Sequence, residues 1–205
     1  MNIINHSVTE FTELLASPAP VPGGGGASAL VASIAAALGD MVGELTVGKK
    51  KFADVEPQLR ALMARAQDLR FRLLQCVEKD AEAFEPLSRA YAIPKDDPSR
   101  DAVMERCLRT AAEAPLEIFD LCCKVIELQQ EFAEKGSRLV ASDAATGAAL
   151  CAGALYGAAV NVKVNTKLMR DRSYAEAINA HIDEDLDRYR ALAGEIFNSV
   201  YRRFC

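Results

Sequence analysis

The sequence predicts an all-α fold, a single-domain bundle of about six helices, two of them long and proline-kinked. Apolar residues recur at spacings of three and four along nearly the whole chain. No segment alternates apolar and polar residues in the way that is typical of a strand. No linker, repeat or low-complexity tract divides the 205 residues, so residues 1–205 are predicted to form one domain.

The composition is that of a soluble globular protein with a large core, since half of the residues are hydrophobic. The formal net charge of -5 argues against a nucleic-acid-binding protein, which needs a basic surface. The N-terminus lacks the basic segment and continuous apolar run of a secretory signal. The most apolar stretch, Ala27 to Val47, contains Asp40 and Glu44, which indicates a core helix rather than a membrane span. We therefore expect a cytoplasmic protein.

The first third of the chain is predicted to contain two helices separated by a loop. Ser7 to Glu10 (SVTE) is a capping box that opens a short helix through Leu15. The segment PAPVPGGGG, Pro18 to Gly26, is predicted to be a loop because of its prolines and glycines. A second helix is predicted from Ala27 to Val47; because it is apolar on most sides, it should be central.

A long third helix is predicted from about Val55 to Tyr91, with Pro57 in its first turn and a kink at Pro86. Asp80 lies near the centre of the apolar stripe of this helix, whose members lie within about 40° of one line. The stripe consists of Leu59, Leu62, Ala66, Leu69, Leu73, Val77, Phe84, Leu87 and Tyr91. A carboxylate turned toward a core must be paired, hydrogen-bonded or protonated. Asp80 is therefore a candidate catalytic residue, with a buried salt bridge as the structural alternative.

Three further helices complete the prediction. The pair Asp97-Pro98 is predicted to supply the N-cap and first residue of a fourth helix, which runs to about Glu134 with a kink near Pro115. An Ala- and Gly-rich fifth helix is predicted from Ser142 to Lys167. Ser173 to Glu176 (SYAE) is a second capping box, predicted to open a sixth helix that continues almost to the C-terminus.

Groups that could bind an anion flank the second helix. A glycine run precedes it and supplies three candidate binding residues: Gly23, Gly24 and Gly25. Their backbone N–H groups could approach a ligand where a helix starts, but the run lacks the G-K-[ST] ending of a nucleotide-binding P-loop. A basic cluster follows the helix and consists of Lys49, Lys50 and Lys51. It could bind a carboxylate or phosphate. The structural alternative for the glycine run is a tightly packed loop, and for the lysine cluster it is a solvated run of charges.

The fifth helix carries three more candidates. Asn161 and Asn165 lie four residues apart on one face, where two poor helix formers suggest a need for amide donors and acceptors. Alternatively, they bridge neighbouring helix ends. Asp143 follows Ser142 near the start of the helix, where the pair could simply be an N-cap and a first-turn acid. Asp143 and Asn161 share a face but lie about 27 Å apart, so they could share a small site only across a subunit interface or along an extended ligand.

Metal catalysis is not expected. The only histidines are His6 and His181, and neither belongs to an E-x-x-H pair. The adjacent Cys122 and Cys123 point to different faces of a helix, so they do not form a metal knuckle. Because the sequence has only these two histidines, it also gives little support for a Ser or Cys catalytic triad.

Four segments, taken in order, resemble the formiminotransferase-cyclodeaminase C-terminal family, which includes free-standing methenyltetrahydrofolate cyclohydrolases. They are PVPGGGGASALVASIAAALGDMV, LTVGKKKF, DAEAF at Asp80, and SDAATGAALCAGALYGAAVNVKVN. The resemblance extends from about Thr9 to Leu168, and the sequence departs from the family pattern in the extra glycine and Val-Pro of PVPGGGG. The resemblance implies an all-helical, dimeric folate enzyme that needs no metal or other cofactor.

Two related reactions fit this resemblance. A cyclohydrolase adds water to 5,10-methenyltetrahydrofolate to give 10-formyltetrahydrofolate, whereas a cyclodeaminase closes 5-formimidoyltetrahydrofolate and releases ammonia. In either case Asp80 or Asp143 would transfer protons, Asn161 and Asn165 would hold the pterin edge or the reacting amidine, and the lysine cluster would receive the glutamate tail. Because the chain stands alone, the cyclohydrolase is the first expectation and the cyclodeaminase the alternative. A non-catalytic, dimeric helical module is the alternative of another class.

Overall fold

The structure, a computed structural model, describes residues 3–205. Over these residues it contains six α-helices, four short 3-10 helices and no strand, which confirms the all-α prediction. The α-helices are α1 (Val8–Leu15), α2 (Gly24–Glu44), α3 (Glu56–Ala90), α4 (Arg100–Lys135), α5 (Ala141–Leu168) and α6 (Arg172–Tyr201). The 3-10 helices are Ile3–Asn5, Lys50–Phe52, Arg138–Val140 and Arg202–Phe204.

Helix α2 lies at the centre of the bundle, as predicted, and packs against α3, α4 and α5. Its small buried side chains, which include Ala29, Ala32 and Ala35, allow neighbouring helices to approach closely. Gln129 of α4 is completely buried and donates a 2.6 Å hydrogen bond from Nε2 to the carbonyl oxygen of Ala35. This buried polar contact fixes α4 against the middle of α2.

The start of α2 differs from the prediction. The helix begins at Gly24, with Gly23 as its N-cap, so the predicted loop ends at Gly23 and not at Gly26. Glycine is a poor helix former, but the Gly26 N–H donates to Asp80 of α3. This tertiary contact satisfies one of the amides that a helix N-terminus leaves without a partner, which explains why three glycines are helical here.

The predicted start of α4 is wrong. Ser99, and not Asp97, precedes the first helical residue Arg100, and its side chain makes no capping hydrogen bond. The carboxylate of Asp97 instead accepts hydrogen bonds from the backbone N–H and the hydroxyl of Ser99, at 2.8 and 2.7 Å. Asp97 therefore forms a local turn around Pro98, and this turn delays the helix by two residues.

The predicted N-cap of α6 is also wrong. Asp171 caps this helix by accepting a 3.1 Å hydrogen bond from the backbone N–H of Tyr174, whereas Ser173 lies inside the first turn. Arg109 of α4 donates from Nη2 to the Asp171 carboxylate at 2.6 Å, so a tertiary ion pair fixes the cap. Likewise, Ser142 is not an N-cap, because α5 begins at Ala141.

The two long helices run through their internal prolines. Helix α3 has 35 residues and contains Pro86, and α4 has 36 residues and contains Pro115. The prediction of two long, proline-containing helices is therefore confirmed. A kink at either proline stays a prediction.

Helices α2 and α5 are antiparallel neighbours, and this gives the bundle two distinct ends. Gly157 in the second half of α5 faces Ser28 near the start of α2. At the opposite end, the backbone N–H of Ser137, shortly before α5, donates a 2.9 Å hydrogen bond to Thr46 Oγ1, just after α2. We call the first the glycine end, which contains Gly23–Gly26, and the second the lysine end, which contains Lys49–Lys51.

Part of the apolar surface of α2 and α5 remains exposed. Helix α2 and the segment Arg138–Leu168 are long and apolar enough to cross a membrane, but 56% and 50% of their most apolar windows are buried in the bundle, as expected for core helices. The exposed large apolar side chains of the two α-helices are Ile34 and Met41 of α2, Leu45 just after it, and Leu150, Tyr156, Val160, Val164 and Leu168 of α5. On helical wheels, these side chains lie on one face of α2 and on one face of α5; we call these exposed residues together the apolar face.

Candidate active site

Asp80 lies where α3 meets the first turn of α2. Its Oδ2 accepts a 2.9 Å hydrogen bond from the backbone N–H of Gly26. Burial raises the pKa of the Asp80 carboxyl above its ordinary value, and the hydrogen bond from Gly26 only partly opposes this rise. Among residues 3–205, no cationic side chain forms an ion pair with Asp80, so the structure does not support the alternative of a buried salt bridge.

The glycine run lets the helix approach this carboxylate closely. A Cβ atom at position 25 would lie 2.3 Å from Asp80 Oδ1, which is closer than non-bonded atoms can approach. A Cβ atom at position 24 would lie 3.0 Å from Nδ2 of Asn161, whereas one at Gly23 would meet nothing within 4 Å. Gly25 is therefore required by the position of Asp80, and Gly24 fits tightly against Asn161.

Helix α5 brings both predicted asparagines to the same place. Asn161 donates from Nδ2 to the carbonyl oxygen of Gly157 at 2.7 Å. Asn165 is buried and donates from Nδ2 to the carbonyl oxygens of Ala111 and Asn161, at 3.1 and 3.0 Å. Asn165 therefore ties α5 to α4, although Ala111 lies inside α4 and not at a helix end. These bonds use the amide nitrogens and leave the Oδ1 atoms as acceptors for a ligand.

A cavity of about 190 Å³ unites these groups, and we call it the Asp80 cavity. Its predicted members are Gly23, Gly24, Gly25, Asp80, Asn161 and Asn165. Its remaining walls are Pro20, Val21, Phe84, Ala111, Pro115 and Val164. Their role in the site was not recognised in the sequence, because apolar wall residues have the same chemical character as core residues. Six of the ten predicted site residues thus meet in one small cavity.

The other four lie at the lysine end. Lys49 and Lys51 line a second, larger cavity of about 890 Å³, with Lys135, Arg138 and Arg203 among its other walls. Lys50 is exposed nearby but does not line this basic cavity. Asp143 is half-buried in the first turn of α5. Since α2 has 21 residues, it separates the two ends by about 30 Å. The roles of Asp143 and the lysines stay predictions.

The arrangement of the Asp80 cavity suits proton transfer. A carboxylate with a raised pKa, held by one backbone N–H beside apolar walls, can take a proton from a bound water and return it to a leaving nitrogen. The amide groups of Asn161 and Asn165 can orient a polar ring edge next to this carboxylate. Apolar walls formed by Phe84 and Val164 suit the flat face of an aromatic or conjugated ligand.

The chain is similar to proteins that act on folates. It is 38% identical to a methenyltetrahydrofolate cyclohydrolase of Methylorubrum extorquens, over 96% of each chain. It is 28% identical to the formimidoyltransferase-cyclodeaminase of Rattus norvegicus, covering 98% of this chain but only 38% of the longer relative. The crystal structure of a formiminotetrahydrofolate cyclodeaminase from Thermotoga maritima superimposes with a TM-score of 0.82, at 28% identity, over 97% of this chain and 95% of that one.

The family model for formiminotransferase-cyclodeaminase matches residues 7–184. This range includes the glycine run, Asp80 and both asparagines, and therefore all the polar residues of the Asp80 cavity. The match and the fold agree with the relatives described above. The chain belongs to the formiminotransferase-cyclodeaminase family.

Proposed function

We propose that this protein is a methenyltetrahydrofolate cyclohydrolase, which converts 5,10-methenyltetrahydrofolate and water into 10-formyltetrahydrofolate. The observation that carries the proposal is the half-buried Asp80 carboxylate, whose pKa is raised, beside two asparagine amides in one cavity. The similarity to the Methylorubrum extorquens cyclohydrolase supports it, because that relative matches the chain over nearly its whole length.

In the proposed mechanism, Asp80 acts first as a base and then as an acid. It accepts a proton from water as the water oxygen bonds to the cationic methenyl carbon. It then gives that proton to N5 as the bond between this carbon and N5 breaks. The remaining hydroxyl proton leaves to solvent, and the formyl carbonyl forms on N10. Asn161 and Asn165 hold the pterin edge, and we propose that no metal ion or other cofactor takes part.

Cyclodeamination is the second candidate, and the same site geometry allows it. Here N10 of 5-formimidoyltetrahydrofolate attacks the carbon of the protonated formimidoyl group. Asp80 takes the proton from N10 and gives it to the amino group of the tetrahedral intermediate, which leaves as ammonia as the methenyl cation forms. The similarity to the Rattus norvegicus and Thermotoga maritima proteins favours this candidate, since both are named for cyclodeamination. Their 28% identity is lower than the 38% shared with the cyclohydrolase.

A pair of parallel assays distinguishes the two candidates. The purified protein is incubated separately with 5,10-methenyltetrahydrofolate and with 5-formimidoyltetrahydrofolate, and the methenyl chromophore and free ammonia are followed against a blank without enzyme. We expect faster loss of the chromophore from the first substrate and no ammonia from the second. Ammonia release with gain of the chromophore would instead establish the cyclodeaminase. A folded protein that shows no activity in either assay would contradict the proposal and favour a non-catalytic helical module.

We further propose that the protein is a cytoplasmic homodimer joined through the apolar face, with neither a nucleic-acid nor a membrane partner. Helix α5 has 28 residues and is about 42 Å long. With α2, about 30 Å long, packed beside it and each helix about 10 Å wide, the face measures about 700 Å² on each subunit, close to the roughly 800 Å² that each partner buries in a specific protein interface. The net charge of -5 is unfavourable for binding to an anionic membrane or nucleic acid.

Gly153 supplies a test of this interface. It is an exposed residue of α5 within the apolar face, and a Cβ atom there would meet nothing within 4 Å in its own chain. Glutamate is a better helix former than glycine, so the Gly153→Glu monomer should be folded. The dimer should be lost, because a charge would be buried between the subunits. We expect the dissociation constant to rise at least a hundredfold in sedimentation equilibrium.

Gly194→Glu is the matched control. Gly194 is also helical, in α6, and a Cβ atom there would likewise meet nothing within 4 Å. It lies outside the apolar face, so this variant should dimerise like the unchanged protein. A wild-type protein that is monomeric would overturn the proposal of a homodimer. Binding to lipid vesicles would overturn the proposal that the protein has no membrane partner. Dimerisation that survives Gly153→Glu would place the interface elsewhere.

A further inference from the structure

Pro115 interrupts the hydrogen bonds of α4 where this helix borders the Asp80 cavity. The residue is buried within α4 and forms part of the cavity wall. In an α-helix, the N–H of each residue donates to the carbonyl oxygen four residues earlier. Proline has no N–H, and its ring crowds that carbonyl group. Pro115 therefore leaves the carbonyl oxygen of Ala111 without its usual donor inside α4.

Asn165 of α5 supplies a donor in its place. Its Nδ2 donates to the carbonyl oxygen of Ala111 at 3.1 Å and to that of Asn161 at 3.0 Å. An amide nitrogen has two hydrogens, so both are used. The side chain is buried, and a flipped amide would turn its oxygen toward two carbonyl oxygens, which cannot donate. The carbonyl that Pro115 leaves free thus helps to fix the orientation of the Asn165 amide.

The two asparagines consequently offer different groups to a ligand. Asn165 offers only Oδ1, to which no donor among residues 3–205 is bonded. Asn161 uses one Nδ2 hydrogen for the carbonyl oxygen of Gly157 and keeps the other hydrogen and Oδ1. A ligand must therefore place a hydrogen-bond donor opposite Asn165. The pterin ring of a folate has a suitable edge, since its N3–H and 2-amino group donate and its 4-oxo group accepts.

We propose that Pro115 is a positioning residue, which acts through Asn165 and makes the site select a ring edge with an N–H donor. The identity of the ring rests on the proposed function, whereas the orientation of Asn165 does not. An N–H at position 115 would compete with Asn165 for the Ala111 carbonyl oxygen. The amide would then lose part of its support, and the acceptor would no longer be fixed before the ligand binds.

Pro115→Ala restores the missing N–H and provides the first test. We expect KM for the folate substrate to rise by roughly five- to tenfold, the usual effect of losing one hydrogen bond. The value of kcat should change little, because the ring edge is bound alike in the ground and transition states. The variant should unfold at the same or a higher urea concentration than wild type, because alanine is the better helix former. An unchanged KM would overturn the proposal.

Pro86→Ala is the matched control, since it restores an N–H inside the other long helix. Pro86 and Glu82, whose carbonyl lies four residues earlier, are exposed and do not line the Asp80 cavity. This variant should also keep or gain stability, but its KM should equal that of wild type. An equal rise of KM in both variants would overturn the proposal, because the effect would then come from the shape of the long helices.

A double-mutant cycle measures whether Pro115 acts through Asn165. Asn165→Ala alone should raise KM. Adding Pro115→Ala to this variant should raise KM no further, because no amide remains to be positioned. If the two effects on KM multiply, Pro115 acts independently of Asn165 and the proposal is wrong.

Nuclear magnetic resonance tests the orientation of Asn165 without any substrate. The side-chain amide signals of Asn165 are identified by their loss in Asn165→Ala. Their hydrogens should exchange slowly with solvent in wild type and in Pro86→Ala, and faster in Pro115→Ala. Equal exchange in all three proteins would overturn the proposal. If the exchange differs as expected but wild-type protein is inactive on both folates, only the proposed function is refuted.

Discussion

Replacing Asp80 by asparagine is expected to lower kcat/KM for 5,10-methenyltetrahydrofolate at least a hundredfold, the usual contribution of a general acid–base. The asparagine oxygen can still accept the hydrogen bond that Gly26 now donates to the carboxylate, so the start of α2 should keep its position. What the variant lacks is a group that can take a proton from water. Steady-state kinetics, corrected for spontaneous hydrolysis, measure the loss. Activity within threefold of wild type would remove Asp80 from the mechanism.

Stability provides the control for this variant, since loss of folding would also abolish activity. Burial raises the pKa of Asp80 in the folded protein, so the folded state binds its proton more tightly than the unfolded state does. The stabilising contribution of Asp80 is therefore fully present below the unfolded-state pKa and lost as the pH rises through the folded-state pKa. At neutral pH the Asp80→Asn variant should unfold at the same or a higher urea concentration than wild type. Such a result separates catalysis from folding.

The pH dependence of kcat/KM provides a second control for Asp80. If the carboxylate is the base, activity rises as Asp80 loses its proton. The midpoint of this rise should then lie above 3.8, the ordinary value for aspartate, because burial raises the pKa. The residual activity of Asp80→Asn should show no such rise. A midpoint that stays unchanged in the variant would show that another group titrates.

Asp80 could be found from the sequence because it interrupts a regular pattern. Its position in the apolar stripe of α3 places a carboxylate toward the core, and helical periodicity alone fixes that direction. The reason for its position could not be found in the same way. It depends on the backbone of Gly26, which is 54 residues away in the chain, and on the absence of a side chain at Gly25. Such contacts follow from the packing of α2 on α3.

The errors at helix starts have the same origin. Ser173 fits the capping-box pattern, yet Asp171 caps α6, because its carboxylate also pairs with Arg109 of another helix. The helical start of the glycine run likewise depends on Asp80 of α3. Local sequence rules rank the residues that can cap a helix. Tertiary ion pairs and hydrogen bonds decide which of them does.

The sequence predicted only part of the separation of the candidate residues between the two ends of the bundle. The distance of about 27 Å between Asp143 and Asn161 follows from a continuous helix. The position of Lys49 relative to Asp80 does not, because it depends on the antiparallel packing of α2 and α5 and on the contact between Ser137 and Thr46. Residue types therefore predicted the chemistry, whereas the grouping of residues required the fold.

Gly25→Ala is the second substitution with a large expected effect, although it adds only one methyl group. That methyl carbon would lie 2.3 Å from Oδ1 and 2.6 Å from Cγ of Asp80. Either the carboxylate or the start of α2 must therefore move, and the hydrogen bond from Gly26 would be strained. We expect a loss of about 1–3 kcal/mol in unfolding free energy, typical of overpacking. We also expect a fall of at least tenfold in kcat/KM, because a displaced base no longer meets the bound water.

Gly23→Ala is the matched control, because it adds the same methyl group two residues away. Gly23 has a φ of -116°, which alanine adopts without strain, and a Cβ atom there would meet nothing within 4 Å. This variant should keep the stability of the wild type to within about 0.5 kcal/mol, the usual range for a substitution away from such contacts. Equal losses of stability in the two variants would mean that the effect comes from the flexibility of the glycine run. A loss confined to Gly25→Ala would attribute it to the contact with Asp80, since the two changes differ only in what the added methyl group touches.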